Sequence, residues 1–74
     1  MQLSNHDAER LAKEGVDALQ RGQSAIARAR FETITQSGRA NAQIWLLLAV
    51  ACRSDGDRVA EEAALDQLLA LEPQ

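Results

Sequence analysis

Similar residues recur 34 positions apart along this chain, and this recurrence limits the folds that it can adopt. The recurring pairs are Leu11 and Trp45, Gly15 and Ala49, Ala18 and Cys52, Gly22 and Gly56, Phe31 and Leu65, and Ile34 and Leu68. Because the chain has 74 residues, it holds two such units and a short lead-in. A unit of this length that glycine interrupts is typical of a tandem helix–turn–helix repeat.

Local signals predict four helices and no strand. The alternating pattern of strands is absent, and the helix formers Ala, Leu, Glu, Gln and Arg dominate. The predicted helices cover residues 5–21, 24–37, 42–54 and a segment from Asp57 to Pro73. Expected caps at the helix starts are Ser4 or Asn5, then Asn41 and Asp57, and the expected stops are Gly22, Gly38 and Gly56.

Apolar residues at helical spacing predict the core. The expected core residues are Leu11, Gly15, Ala18, Leu19, Ala27, Phe31, Ile34, Ile44, Trp45, Leu48, Ala49, Cys52, Val59, Ala60, Ala64, Leu65, Leu68 and Leu69. The third helix also carries Leu46, Leu47 and Val50 on its other side. Since this helix is apolar nearly all round, we expect it to be central or covered by a partner.

These motifs resemble the tetratricopeptide repeat (TPR) family. The stretch Trp45-x-x-Leu48-Ala49-x-x-Cys52 is similar to the family's W-x-x-L-G-x-x-Y, with Ala for Gly and Cys for Tyr. In the first unit, Ala27-x-x-x-Phe31 matches the family's A-x-x-x-F. Pro73 stands where the family has its closing proline, a position that Arg39 takes in the first unit.

The resemblance implies an all-α fold of two tandem repeats, with four antiparallel helices in a fragment of a right-handed solenoid. Its implied divisions are a lead-in of residues 1–7, a first repeat of residues 8–41 and a second repeat of residues 42–74. The second unit departs from the pattern at Glu61, where the first unit has Ala27. Ala60 and Ala64 are candidates to replace that contact if the last helix is slightly rotated.

The resemblance also implies a binding surface, because the first helix of each repeat lines the concave side in this family. On this chain that lining would consist of Glu9, Ala12, Lys13, Val16, Gln20, Gln43, Leu46, Leu47, Val50 and Arg53. Apolar residues stand where family members that clamp a carboxylate need Lys, Asn or Arg. The expected ligand is therefore a helix or an apolar segment. The predicted binding residues are Val16, Gln20, Gln43, Leu46, Leu47, Val50 and Arg53. The alternative is that the next helix or a second copy covers this patch.

Composition argues against several other classes. A net charge of −3 and an aromatic content of 3% are unlike a nucleic-acid binder. One cysteine and one histidine make no metal-ligand cluster, so neither a metal nor another cofactor is expected. The longest apolar run, Ile44 to Cys52, is too short to cross a bilayer, and the first residues lack a signal-peptide pattern. We therefore expect a cytoplasmic protein without membrane partners.

Nothing in the sequence predicts an active site, so we expect no enzyme activity within this chain. Ser4, His6 and Asp7 are neighbours at a helix start, where capping is the simpler role. Glu61 and Glu62 are adjacent and point in different directions on a helix. Cys52 fits a small buried apolar position.

Charge is distributed unevenly along the chain. Residues 21–52 hold four arginines and one glutamate, whereas residues 53–74 hold six acidic and two basic residues. Solvated helix faces account for this pattern. The alternative is a basic stretch that meets the acidic end of another copy or of a partner.

The leading hypothesis is that the chain is a protein–protein interaction module. Its resemblances suggest a bacterial origin. Repeat proteins need about three repeats and a capping element, so we expect this chain to form a homodimer or to belong to a longer protein. The alternative is an accessory segment of an enzyme. The stretch from Cys52 to Pro73 resembles repeat regions that precede bacterial aspartyl/asparaginyl β-hydroxylase-type oxygenases or sulfotransferases. Any catalysis would then lie beyond Gln74.

Overall fold

The computed structural model describes residues 3–71, which form four α-helices without any strand. α1 spans Asn5–Gln20, α2 spans Ser24–Gln36, α3 spans Ala42–Ser54 and α4 spans Arg58–Leu71. The predicted all-α class is confirmed. The predicted bounds of the first three helices and the predicted start of α4 agree with the structure to within one residue. The expected stop at Pro73 lies outside the described residues.

Side chains cap three of the four helix starts, as the sequence predicts. The Ser4 hydroxyl accepts the backbone N–H of Asp7 at 3.0 Å. The Asn41 side chain accepts that of Ile44 at 2.9 Å, and the Asp57 carboxylate accepts that of Ala60 at 3.0 Å. Each bond satisfies an amide that the first turn of a helix leaves unpaired. α2 differs, because Gln23 precedes it and makes no side-chain cap.

Glycine in the left-handed region ends the first three helices. Gly22, Gly38 and Gly56 have φ angles of 74°, 78° and 81°, which only glycine adopts without strain. The amide that follows each glycine reaches back to a carbonyl in the last turn, as in the Gln23-to-Ala18 hydrogen bond of 2.8 Å. This bond closes a Schellman motif and reverses the chain.

The helix ends repeat the interval seen in the sequence. α1 ends at Gln20 and α3 ends at Ser54, while α2 begins at Ser24 and α4 begins at Arg58, so both pairs lie 34 residues apart. The local backbone structure of the helix–turn–helix unit therefore recurs at the sequence period.

Consecutive helices pack against one another, and α1 also touches α3. Arg39 after α2 binds Asn5 at the start of α1, and Arg30 binds Glu14 at 3.2 Å, so α1 and α2 run antiparallel. α2 lies between α1 and α3. α4 contacts only α3 among the described helices.

The core forms where these helices meet. Its buried members are Gly15, Ala18, Ala27, Phe31, Ile34, Ile44, Leu48, Ala49, Ala51, Cys52 and Ala64. A Cβ atom at Gly15 would lie 2.6 Å from Cζ of the buried Phe31 ring, so the close contact of α1 and α2 requires glycine there.

The predicted core was wrong at two positions of α4. Val59 is 81% exposed and Leu69 is 65% exposed, whereas Ala64 is buried and Ala60, Leu65 and Leu68 are half-buried. A helix with a single neighbour buries only one narrow stripe, so the wider apolar stripe of α4 stays partly in solvent. α3 shows the opposite difference from the predicted core, because Ala51 is buried there although the sequence did not predict it.

Candidate functional site

The site that the structure offers is an open groove between α1 and α3, with a volume of about 450 Å³. Its lining consists of Ala12, Lys13, Val16, Asp17 and Gln20 from α1, and of Asn41, Gln43, Ile44 and Leu47 at and after the α3 cap. The apolar members come from both helices, and the polar members place charges of both signs along the groove.

Helical spacing produces this groove. Ala12, Val16 and Gln20 are four residues apart on α1, as are Gln43 and Leu47 on α3, so each set forms one stripe. Both helices pack on α2 and touch each other over a short stretch, which leaves the space between the two stripes open.

The structure brings together only part of the predicted binding set. Val16, Gln20, Gln43 and Leu47 line the groove, whereas Leu46, Val50 and Arg53 are exposed and lie outside its lining. Successive helical residues are rotated by about 100°, so a stripe that includes Leu47 turns its neighbour Leu46 away.

The sequence also missed three lining residues. Asp17 was assigned no role, Asn41 was identified only as a helix cap and Ile44 only as a core residue. The signal that could have found them is their position, since a helix start and a core edge can also border a groove.

A second cluster of polar residues surrounds Arg28 and joins α2 to the turn between α3 and α4. The guanidinium lies 3.4 Å from Glu32, 3.4 Å from Asp55 and 3.0 Å from Asp57. Burial lowers the pKa of Arg28, but the hydrogen bond to Asp57 and the nearby carboxylates outweigh it, so the pKa is raised.

The Asp57 carboxylate is stabilised in its charged form. The Ala60 amide lowers the pKa of Asp57, burial opposes this shift, and the hydrogen bond from Arg28 adds to it. The same carboxylate therefore caps α4 and fixes the turn between α3 and α4 to α2.

The groups considered for chemistry have structural roles in this fold. The Ser4 hydroxyl accepts the Asp7 amide, and His6 is exposed. Cys52 is 1% exposed, and its desolvation raises the pKa of the thiol despite the opposing charge of Arg28. Such a thiol stays protonated and is a poor nucleophile.

Within residues 3–71, His, Cys, Asp and Glu side chains form no group of three that could hold a metal ion. None of the helices in this range combines the length and the apolar character that a membrane span requires.

No family model, curated protein or solved structure matches this chain. The groove and the helix–turn–helix interval are therefore the features of this chain that bear on its function.

Proposed function

We propose that this protein is a protein–protein interaction module of the TPR type, which binds a helix or an apolar segment of a partner or of a second copy. The observation that carries the proposal is the groove between α1 and α3. Its volume of about 450 Å³ and its apolar contributions from Val16, Ile44 and Leu47 suit an apolar ligand strip.

The recurrence of helix ends supports a repeat-type scaffold. The α1–α2 and α3–α4 turns lie 34 residues apart, and each contains a glycine with positive φ. In proteins of this kind, stacked helix pairs present one helix of each pair to a shared surface. α1 and α3 are the helices that line the groove here.

The chemistry of the groove favours a helix-in-groove mode of binding. Lys13 and Asp17 on the lining have opposite charges, which can fix the orientation of a bound segment. Apolar anchors one helical turn apart would supply the affinity.

A selection from a random peptide library displayed on phage, with the whole chain as bait, tests this proposal. We expect enriched peptides with apolar residues at i, i+3, i+4 and i+7, and saturable binding of the synthetic peptides. Val16→Glu places a charge in the groove and should weaken binding by at least about tenfold. Gln43→Lys adds charge at an exposed lining position and should weaken binding without disturbing the fold.

Val59→Glu is the matched control, because Val59 is 81% exposed and lies outside the groove lining. Its binding should equal that of the natural chain, with helix content checked by circular dichroism for every variant. Sedimentation at several concentrations shows whether a second copy is the ligand. A selection without apolar enrichment, or peptides that bind Gln43→Lys at full strength, would overturn the proposal.

A further inference from the structure

The two ends of the helix stack differ in chemistry. The surface of α1 carries exposed charged residues that pair with one another, such as Arg10 with Glu14 at 3.4 Å and Arg21 with Asp17 at 3.0 Å. The α3–α4 end instead exposes Leu46 by 46%, Val50 by 43% and Leu69 by 65%.

We name this second end the open face. It comprises Leu46 and Val50 on α3, Leu65 and Leu69 on α4, and the acidic residues Glu62 and Asp66 on α4. Leu65 is half-buried, and both acidic residues are exposed.

The open face corresponds, at the 34-residue interval, to the surface of the first helix pair that borders α3. The counterparts of Leu46 and Val50 are Ala12 and Val16, which line the groove against α3. The counterpart of Leu65 is Phe31, which is 0% exposed in the helix that lies between α1 and α3. The open face therefore has the residue pattern of a surface that accepts one more helix.

The open face is more acidic than its counterpart, although only one position changes sign, since Asp66 corresponds to the acidic Glu32. On the first helix pair, Arg28 lies 3.4 Å from Asp55 at the end of α3 and 3.0 Å from Asp57. The residue 34 positions after Arg28 is Glu62. A helix that covered the open face as α3 covers α2 would pair with Glu62 only if it carried a basic residue near its C-terminal end.

We infer that the open face binds an amphipathic helix of a partner protein, with apolar residues against the leucines and Val50, and with Lys or Arg beside Glu62 and Asp66. The inference rests on the helix-pair repeat of the proposed function and is independent of binding in the α1–α3 groove.

A second copy of this chain fits the open face less well. Pairing of α4 with α4 of another copy about a two-fold axis would bring Glu62 and Asp66 close to the same residues of the other copy. Stacking of α1 from another copy would replace the buried Leu48 and Ala51 of α3 by their counterparts Glu14 and Asp17. Either arrangement brings further carboxylates close to the acidic residues of the face.

Two synthetic helical peptides test the inference. One carries leucines at i, i+3, i+4 and i+7 with flanking lysines, and the other has glutamate in place of every lysine. Titration into the whole isotope-labelled chain should shift the backbone amide NMR signals of α4 and of the Leu46 and Val50 region. The lysine peptide should bind about tenfold more tightly, since each exposed ion pair contributes up to about three- to fivefold.

Variants at exposed positions assign the binding to this face. Leu69→Glu should weaken the lysine peptide by at least about tenfold. Glu62→Lys should remove or invert the preference for lysine over glutamate. Val59→Glu is the matched control and should bind normally, because its counterpart Ala25 stays exposed although α3 covers α2. Gln43→Lys, in the groove, should also bind normally.

Three results would overturn the inference. The first is equal affinity for the two peptides, which would remove the role of Glu62 and Asp66. The second is a set of NMR shifts centred on Val16 and Leu47, with binding lost in Gln43→Lys, which would assign the peptide to the groove instead. The third is concentration-dependent self-association that Leu69→Glu abolishes, which would make a second copy the occupant.

Discussion

α2 and α4 occupy corresponding positions in the two helix–turn–helix units, yet they are buried to different extents. Ala27, Phe31 and Ile34 of α2 are at most 1% exposed. Their counterparts on α4, 34 residues later, are Glu61, Leu65 and Leu68, and all three are half-buried. α2 lies between two helices, whereas α4 has one neighbour among the described helices. The comparison shows that a repeated pattern fixes which side of a helix is apolar, but neighbours decide how much of it leaves water.

The largest expected effect breaks the better-packed unit. Phe31→Ala should lower the free energy of unfolding by about 3–5 kcal/mol, because it removes a fully buried ring and leaves a cavity. A domain of this size has a stability of about 3–5 kcal/mol, so this variant should show no cooperative unfolding transition in urea at 25 °C when followed by circular dichroism.

Leu65→Ala is the matched change in α4. It should lower the free energy of unfolding by about 1–2 kcal/mol, because part of this side chain is already in solvent. Equal losses for the two variants would contradict the difference in burial between the helices.

An intermediate loss of stability is expected where the two units pair residues of different size. The first unit has Gly15 with Phe31, and the second has Ala49 with Leu65 at the corresponding positions. Gly15→Ala places a Cβ atom 2.6 Å from the Phe31 ring, so it should destabilise by about 1–3 kcal/mol although alanine favours helices. Urea denaturation measures the loss.

A double-mutant cycle sharpens this comparison. Phe31→Leu in the Gly15→Ala background copies the combination of the second unit, so the two changes together should cost less than their sum by about 0.5–3 kcal/mol. Additive losses would show that the ring and the glycine do not depend on each other.

The smallest expected effects concern the starts of α2 and α4. Asp57 caps α4, whereas Gln23 leaves α2 without a side-chain cap. Gln23→Asp should therefore stabilise the protein by about 0.5–1 kcal/mol at pH 7, measured by thermal unfolding. An unchanged melting temperature would show that the backbone at Gln23 does not allow capping.

Removing the charge of the α4 cap, Asp57, should change how the stability of the protein depends on pH. Because the Ala60 amide and Arg28 lower the pKa of folded Asp57, its charge stabilises the protein above the ordinary aspartate pKa of about 4. This contribution is lost as the pH falls through the lowered pKa of the folded state. Asp57→Asn keeps an oxygen for the cap but removes the charge, so its stability should fall less steeply below about pH 4.

Asp66→Asn is the control for the pH experiment, since Asp66 is exposed on α4 and lies outside the Arg28 cluster. It removes the same charge without touching the cap, and its acid unfolding curve should parallel that of the natural chain. A parallel curve for Asp57→Asn as well would contradict a specific role for this carboxylate.

Much of the fold could be predicted because its signals are local. Asn41 and Asp57 reach amides only three residues ahead, and Gly56 determines the backbone at its own position. Less of the candidate site could be predicted from the sequence. Val16 and Leu47 are predicted to share a surface and both line the groove, but Leu46 lies outside the lining, because it is rotated by about 100° from Leu47 along the helix.

Four helices with their caps and glycine stops follow from the sequence alone, since each depends on residues within a few positions of one another. The 34-residue interval follows from it as well, because the same local signals recur in both units. Which apolar residues are covered depends instead on how the helices pack. Phe31 is enclosed and Leu69 is 65% exposed, because burial is set by helices that arrive from elsewhere in the chain. The tertiary structure also set Arg28 against Asp57, residues of different units whose attraction no local pattern reveals.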